Sequence, residues 1–216
     1  MNIIIERFNK IKSNIEILKP KKKVHIVAIS KTFTIDHIKP LLDYGHDHFG
    51  ENKVQEALAK WSELKNKNTN LKLHMVGKLQ SNKAKTALKI FDFIHSLDNQ
   101  KLADVLSKTQ INMNKSIKYF IQVNIGNELQ KSGIPVKELD AFYTYCSKEK
   151  NLDVVGLMII PPNDGDSKKY FKALDDLNNS LALNELSMGM SADYKEAIGF
   201  NATFIRLGSS IFGSRS

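Results

Sequence analysis

Residues 24–31 read Val-His-Ile-Val-Ala-Ile-Ser-Lys, an apolar run with β-branched members that ends on an amine. A run of this kind suits a strand buried on both faces of a parallel sheet. α/β folds bind ligands at the carboxyl ends of such strands. A partly desolvated lysine there has a lowered pKa and attacks carbonyls to form a Schiff base. A salt bridge at the strand top and a solvent-directed side chain are the alternatives for Lys31. Two further stretches suit a phosphate. Ser187-Met188-Gly189-Met190-Ser191 and Gly208-Ser209-Ser210 place hydroxyls and glycines directly before predicted helical turns. Exposed N–H groups at a helix start, with hydroxyls and a closely approaching glycine, bind phosphate. Plain helix capping is the alternative.

Arg206 stands inside the run Phe204-Ile205-Arg206-Leu207-Gly208. A buried guanidinium is costly unless paired or ligand-bound. Its expected partner is a carboxylate such as Glu51, or a heterocyclic ring nitrogen that arginine would leave unprotonated. His74 and His95 have no second ligand at helical spacing. They are expected to be hydrogen-bonded core histidines, and no metal site is expected.

These groups need a scaffold that brings distant strand ends together. The periodicity predicts an amphipathic helix over 4–18, with Ile4, Phe8, Ile11, Ile15 and Leu18 on one face. Strands follow at 24–30, 46–50, 71–76, 91–97, 116–125, 152–160, 185–188 and 203–207. Helices are expected at 34–44, 54–66, 82–90, 100–109, 136–148, 168–179 and 192–198, with a last helical turn at 209–212. Alternation of this kind makes right-handed βαβ units and a parallel sheet. Eight units predict a closed (β/α)8 TIM barrel with an extra N-terminal helix, and an open doubly wound sheet is the alternative.

The chain has 216 residues, enough for a single domain over 1–216. Its formal net charge of +9 comes mainly from dispersed lysines, and the one tight cluster, Lys19-Pro20-Lys21-Lys22-Lys23, reads as a solvated linker. Few aromatics interleave with the basic residues, so no nucleic-acid partner is expected. No apolar run is long enough to cross a bilayer. Charges come too early in Met1-Asn2-Ile3-Ile4-Ile5-Glu6-Arg7 for a signal-peptide core, and cytoplasmic residence is expected. The one cysteine, Cys146, is read as a packing residue.

With these residues in view, the chain resembles the pyridoxal phosphate homeostasis proteins, whose barrel is that of the alanine racemase N-terminal domain. The matching segments include Ala28-Ile29-Ser30-Lys31-Thr32, Phe49-Gly50-Glu51-Asn52-Lys53-Val54-Gln55-Glu56, His74-Met75-Val76-Gly77-Lys78-Leu79-Gln80-Ser81-Asn82-Lys83, Ile94-His95-Ser96-Leu97-Asp98, Lys131-Ser132-Gly133, and the stretches 186–191 and 206–213. The resemblance implies a pyridoxal 5'-phosphate cofactor held on Lys31 as an internal aldimine. It implies that Ser187, Ser191, Gly208 and Ser209 hold the phosphate, that Arg206 faces the pyridine nitrogen, and that Asn52 lies near the ring. Lys53, Lys78, Gln130 and Asn201 depart from the usual pattern, but asparagine tolerates the left-handed backbone expected at 201. The implied role is binding and homeostasis of the cofactor without turnover, with no catalytic residue. The alternative is a small enzyme such as a weak amino-acid racemase. Racemases add a second domain with a catalytic tyrosine, and no such domain is expected here. PLP-dependent apo-enzymes are the implied partners, and a monomer is expected. An aldolase-type use of Lys31 has no acid/base carboxylate at the first strand end to support it.

Overall fold

The computed structural model describes residues 2–128 and 130–214. Met1, Arg215 and Ser216, the ends of the expected 1–216 domain, lie outside the described residues, as does Leu129. The extra helix, α1 (Ile3–Leu18), is capped by the Asn2 side chain and precedes β1 (His25–Ile29). The other barrel strands are β2 (His48–Glu51), β3 (Lys72–Met75), β4 (Phe93–Leu97), β5 (Lys118–Asn124), β7 (Asp153–Met158), β8 (Glu185–Ser187) and β9 (Phe204–Leu207). All are parallel, in the order β4-β3-β2-β1-β9-β8-β7-β5, and β4 pairs with β5 to close the ring. An open doubly wound sheet would leave two edges there, so that alternative is excluded. The helices α2 (Ile35–Asp43), α3 (Val54–Lys67), α4 (Ala84–Ile90), α5 (Gln100–Asn112), α6 (Leu139–Thr144), α7 (Ser167–Ser180), α8 (Tyr194–Gly199) and α9 (Ser209–Phe212) follow in chain order.

Three departures from the expected elements have local causes. A two-residue strand, β6 (Ile134–Pro135), pairs with the outer end of β5 and is too short to carry a sequence period. The helix expected over 136–148 is broken into a 3-10 turn, α6 and a wide π turn over Tyr145–Glu149. α8 starts at Tyr194 rather than 192, because Asp193 Oδ1 accepts the Met190 N–H at 2.6 Å and holds the preceding residues in a turn. Asn201 is left-handed as expected, at φ 63°, and its amide donates to Asp175 Oδ2 at 2.8 Å. Cys146 is buried, which pushes its thiol up to about 12.

The barrel sorts side chains by the period of two that a strand imposes. On β1, Ile26 and Ala28 pack outward against the helices, while Val27 and Ile29 join Phe120, Met158 and Phe204 inside the ring. That inward parity continues past the strand to Lys31. On β2 it runs through His48 and Gly50 to Asn52, and on β9 through Phe204 and Arg206 to Gly208. The interior also holds rings in stacks, His74 on Phe93 and His95 on Phe120, each with centroids 4.4 Å apart.

Candidate functional site

The inward positions at the carboxyl ends converge on a cavity of about 590 Å³. Its lining includes Lys31, Asn52, Arg206, Ser191, Gly208 and Ser209, with Ile29, Phe33, Val76, Ile160 and Met190 as apolar walls. A volume of this order, mostly apolar with a few convergent polar groups, is that of a small-molecule site.

Lys31 sits at the second position of a tight turn that the Phe33 N–H closes onto the Ser30 carbonyl at 3.2 Å. Thr32 then takes a left-handed φ of 70°, which costs a β-branched residue about 1 kcal/mol or more. α3 holds the turn in that shape. The Thr32 N–H donates to Glu56 Oε1 at 2.7 Å, and Lys60 Nζ donates to the Ser30 carbonyl at 2.9 Å. Lys60 also pairs with Glu51 at 2.8 Å, where Ser30 Oγ and Trp61 Nε1 donate to the same carboxylate oxygen. Burial opposes the charge of Glu56, yet the Thr32 N–H and Lys60 outweigh it and leave its carboxyl below the usual range. Sequence reasoning missed Glu56 and Lys60. Their signal was an acid–base pair four apart on α3, which by itself indicates only a solvated helix face.

Asn52 is braced from behind. A Cβ on Gly77 would lie 2.5 Å from the Asn52 carbonyl oxygen, so only glycine lets the loop after β3 pass this close. At the opposite wall, Gly189 has φ +90°, and a Cβ there would meet Ala197 Cβ at 2.6 Å. The turn that delivers Ser191 therefore requires glycine. Ser191 Oγ accepts the Ser210 N–H at 3.3 Å and lies 3.0 Å from Ser210 Oγ, which ties this loop to the start of α9.

Arg206 is 5% exposed. Its Nη1 donates to Ser187 Oγ and its Nη2 to the Ile159 carbonyl, both at 2.8 Å. Glu51 is engaged by Lys60, Ser30 and Trp61, so the expected Arg206–Glu51 pair does not form. Burial pulls the guanidinium down to about 10, opposed by the charge of Asp193, and it stays cationic near neutrality. Ser187 lies apart from the other residues expected at the phosphate. Its side chain is fully buried inside the ring and does not line the cavity. Its hydroxyl serves Arg206 and His95 Nδ1, the latter at 2.7 Å.

Gly208 carries the test of the implied cofactor. Its φ is −113°, and a Cβ would meet Ile29 only at an ordinary 3.5 Å. Neither strain nor protein packing demands glycine there, so the bare backbone leaves a cradle in the cavity wall. α9 opens directly after it, with the Ser210 N–H on Ser191 Oγ and the Ile211 and Phe212 N–H groups on the Gly208 carbonyl. Amine, cation and an amide–hydroxyl wall in one cavity fit a phosphorylated aromatic aldehyde. His74 and His95 lie in the barrel core, as expected. Among the described residues no cluster of metal-binding side chains occurs, and no helix is long and apolar enough to cross a membrane.

The family model described as alanine racemase, N-terminal domain, matches residues 7–216. The pyridoxal phosphate homeostasis protein of Synechocystis sp. is 39% identical over 201 residues, covering 89% of this chain and 92% of its own. PipY of Synechococcus elongatus, solved with PLP bound, superposes with a TM-score of 0.87 at 34% identity, over 97% of this chain and all of that one. An alanine racemase of Clostridium difficile shares the fold, with a TM-score of 0.76 at 13% identity over 99% of this chain and 57% of its own.

Proposed function

Since the chain belongs to the alanine racemase N-terminal domain family, and within it to the pyridoxal phosphate homeostasis proteins, we propose that it binds pyridoxal 5'-phosphate and serves its homeostasis without turnover. The observation that carries this reading is the convergence of Lys31, Arg206 and the Gly208–Ser209–Ser191 wall on one cavity. When bound, the cofactor supplies an aldehyde to an amine and an electron-withdrawing ring.

The protein's own groups divide the work. Lys31, fixed by the Glu56–Thr32 clamp, presents its amine for covalent retention. Ser191, Ser209 and the backbone at Gly208 and Ser209 hold the phosphate dianion. Asn52 flanks the ring. Arg206 has no proton-accepting atom, so it faces the ring nitrogen only as a donor and leaves it unprotonated. That choice weakens the ring as an electron sink and favours retention over chemistry. Moving a proton from one face of an amino acid to the other needs two bases. The lining offers Lys31 and, among the described residues, no imidazole, phenol, thiol or carboxylate. The natural recipients of the retained cofactor are apo-enzymes that use it, and this reading expects a monomer.

Borohydride reduction of the pyridoxal phosphate-loaded protein tests this. The reading expects a yellow protein whose label maps to Lys31 and is absent in Lys31→Ala. A protein that takes up no added pyridoxal phosphate overturns it. Incubation with L-alanine in D2O separates it from a weak racemase, which would place deuterium at Cα.

A further inference from the structure

The barrel interior holds a chain of imidazoles that the binding reading does not use. His48 Nδ1 lies 2.9 Å from His74 Nε2, and His74 Nδ1 lies 2.9 Å from His95 Nε2. His95 Nδ1 reaches Ser187 Oγ at 2.7 Å, and the same oxygen accepts from Arg206. The lower end opens on a cleft of about 460 Å³ between α1 and the strand starts, lined by His25, His46, Asp47 and His48 among others. His74, His95 and Ser187 are fully buried.

Simple donor–acceptor accounting sets the direction of this chain. Burial keeps the three imidazoles neutral near neutrality, so each has one N–H and one bare nitrogen. Arg206 can only donate, so the Ser187 oxygen accepts from it and its single proton goes to His95 Nδ1. His95 then carries its proton on Nε2 and donates to His74 Nδ1. His74 likewise donates from Nε2 to His48 Nδ1. This leaves an N–H on His48 Nε2, 3.9 Å from the Asp47 carboxylate. The reverse direction would aim two donors at one serine oxygen and strand the hydroxyl proton in the core.

We infer that His95, His74 and His48 are positioning residues for Arg206, locked as Nε2–H tautomers in a one-way relay that turns the Ser187 lone pairs toward the guanidinium. The relay lets a buried cation be held by a neutral hydroxyl and a carbonyl, with its remaining N–H groups free to face the cavity. The role assigned to Arg206 rests on the proposed pyridoxal phosphate site, whereas the direction of the relay does not. Mere packing is the competing account, since His74 and His95 also stack on phenylalanines.

Long-range 15N–1H NMR of the ligand-free protein at about pH 7 reads the tautomers directly. The relay requires the Nε2–H form at His74 and His95, and an Nδ1–H or charged His95 overturns it. Two variants then test positioning. His95→Gln keeps an acceptor and a donor, and His95→Leu keeps bulk alone. In the ligand-free protein, the slowed guanidinium rotation of Arg206 should persist in His95→Gln and be lost in His95→Leu. Pyridoxal phosphate affinity should fall about tenfold in His95→Leu and recover to within about threefold of wild type in His95→Gln. Equal Arg206 signals in the two variants would assign His95 to packing and overturn the positioning role. Should His95→Leu not fold, the wild-type tautomers still decide the relay. A wild type that binds no pyridoxal phosphate but shows the tautomers would sink the proposed function and leave the relay standing.

Discussion

The Thr32 N–H donates to Glu56 Oε1 at 2.7 Å, so a carboxylate on α3 holds the left-handed turn that aims Lys31. Glu56→Ala removes the acceptor while leaving the amine and the cavity lining in place. The expected cost is about 1–2 kcal/mol of stability, because a charge-assisted bond to a strained turn is lost. Capture of pyridoxal phosphate by Lys31 should slow several-fold, by about the factor that such an energy represents. Stopped-flow absorbance of cofactor uptake, beside urea unfolding, checks both. Uptake at the wild-type rate would show that the clamp does not aim the lysine.

Gly208→Ala separates folding from binding. The added methyl meets Ile29 at an ordinary contact distance and the backbone is already in negative φ, so stability should stay within about 0.5 kcal/mol of wild type. The same methyl enters the space proposed for the phosphate, and affinity should drop by about tenfold or more. A variant that binds normally would move the phosphate elsewhere in the cavity.

Gly189→Ala should behave in the opposite way. Its φ of +90° and the 2.6 Å approach to Ala197 Cβ predict a loss of about 2–4 kcal/mol in unfolding free energy. Binding should fall too, because the strained turn delivers Ser191 to the cavity. Denaturation midpoints of the two alanine variants, measured side by side, test the contrast.

Stability should fall steeply in mild acid. Burial lowers His46 and His48 to about 4 and holds His74 and His95 well below the usual imidazole range, whereas an unfolded histidine titrates near 6.5. Between those values the unfolded chain binds protons that the folded chain refuses. Stability is therefore full above about pH 6.5 and declines toward pH 4, by about 1.4 kcal/mol per pH unit for each such histidine. Chemical unfolding across this window checks the slope, and a flat profile would mean that the histidines are charged in the fold.

The barrel and most of its mouth were legible because strand ends carry polar residues that a purely structural strand would not need. Lys31, Asn52, Arg206, Gly208 and Ser209 all line the cavity for that reason. Ser187 was not legible as a support for Arg206. It belongs to a hydroxyl-rich loop by composition but to a three-residue strand by geometry, and so short a strand shows no period. His48 was invisible as part of a relay, since its partner at 74 depends on the register of β2 against β3, which no single strand encodes. Glu56 and Lys60 were hidden by the same limit. Their spacing records a helix face, whereas their role depends on what that face meets.

The N-terminal helix carries a consequence for biosynthesis. α1 buries Ile4, Ile5, Phe8 and Ile11, and its contacts include α8, α9 and α2. Of the barrel's elements, the one made first thus finds much of its apolar cover in those made last. β1 likewise gains its β9 neighbour only once the barrel's last strand has been made. Until then a growing chain has an open sheet edge and a greasy helix side by side, a surface for holding chaperones. Completion of β9 and α9, more than the growth of any inner unit, is the moment at which this barrel can close.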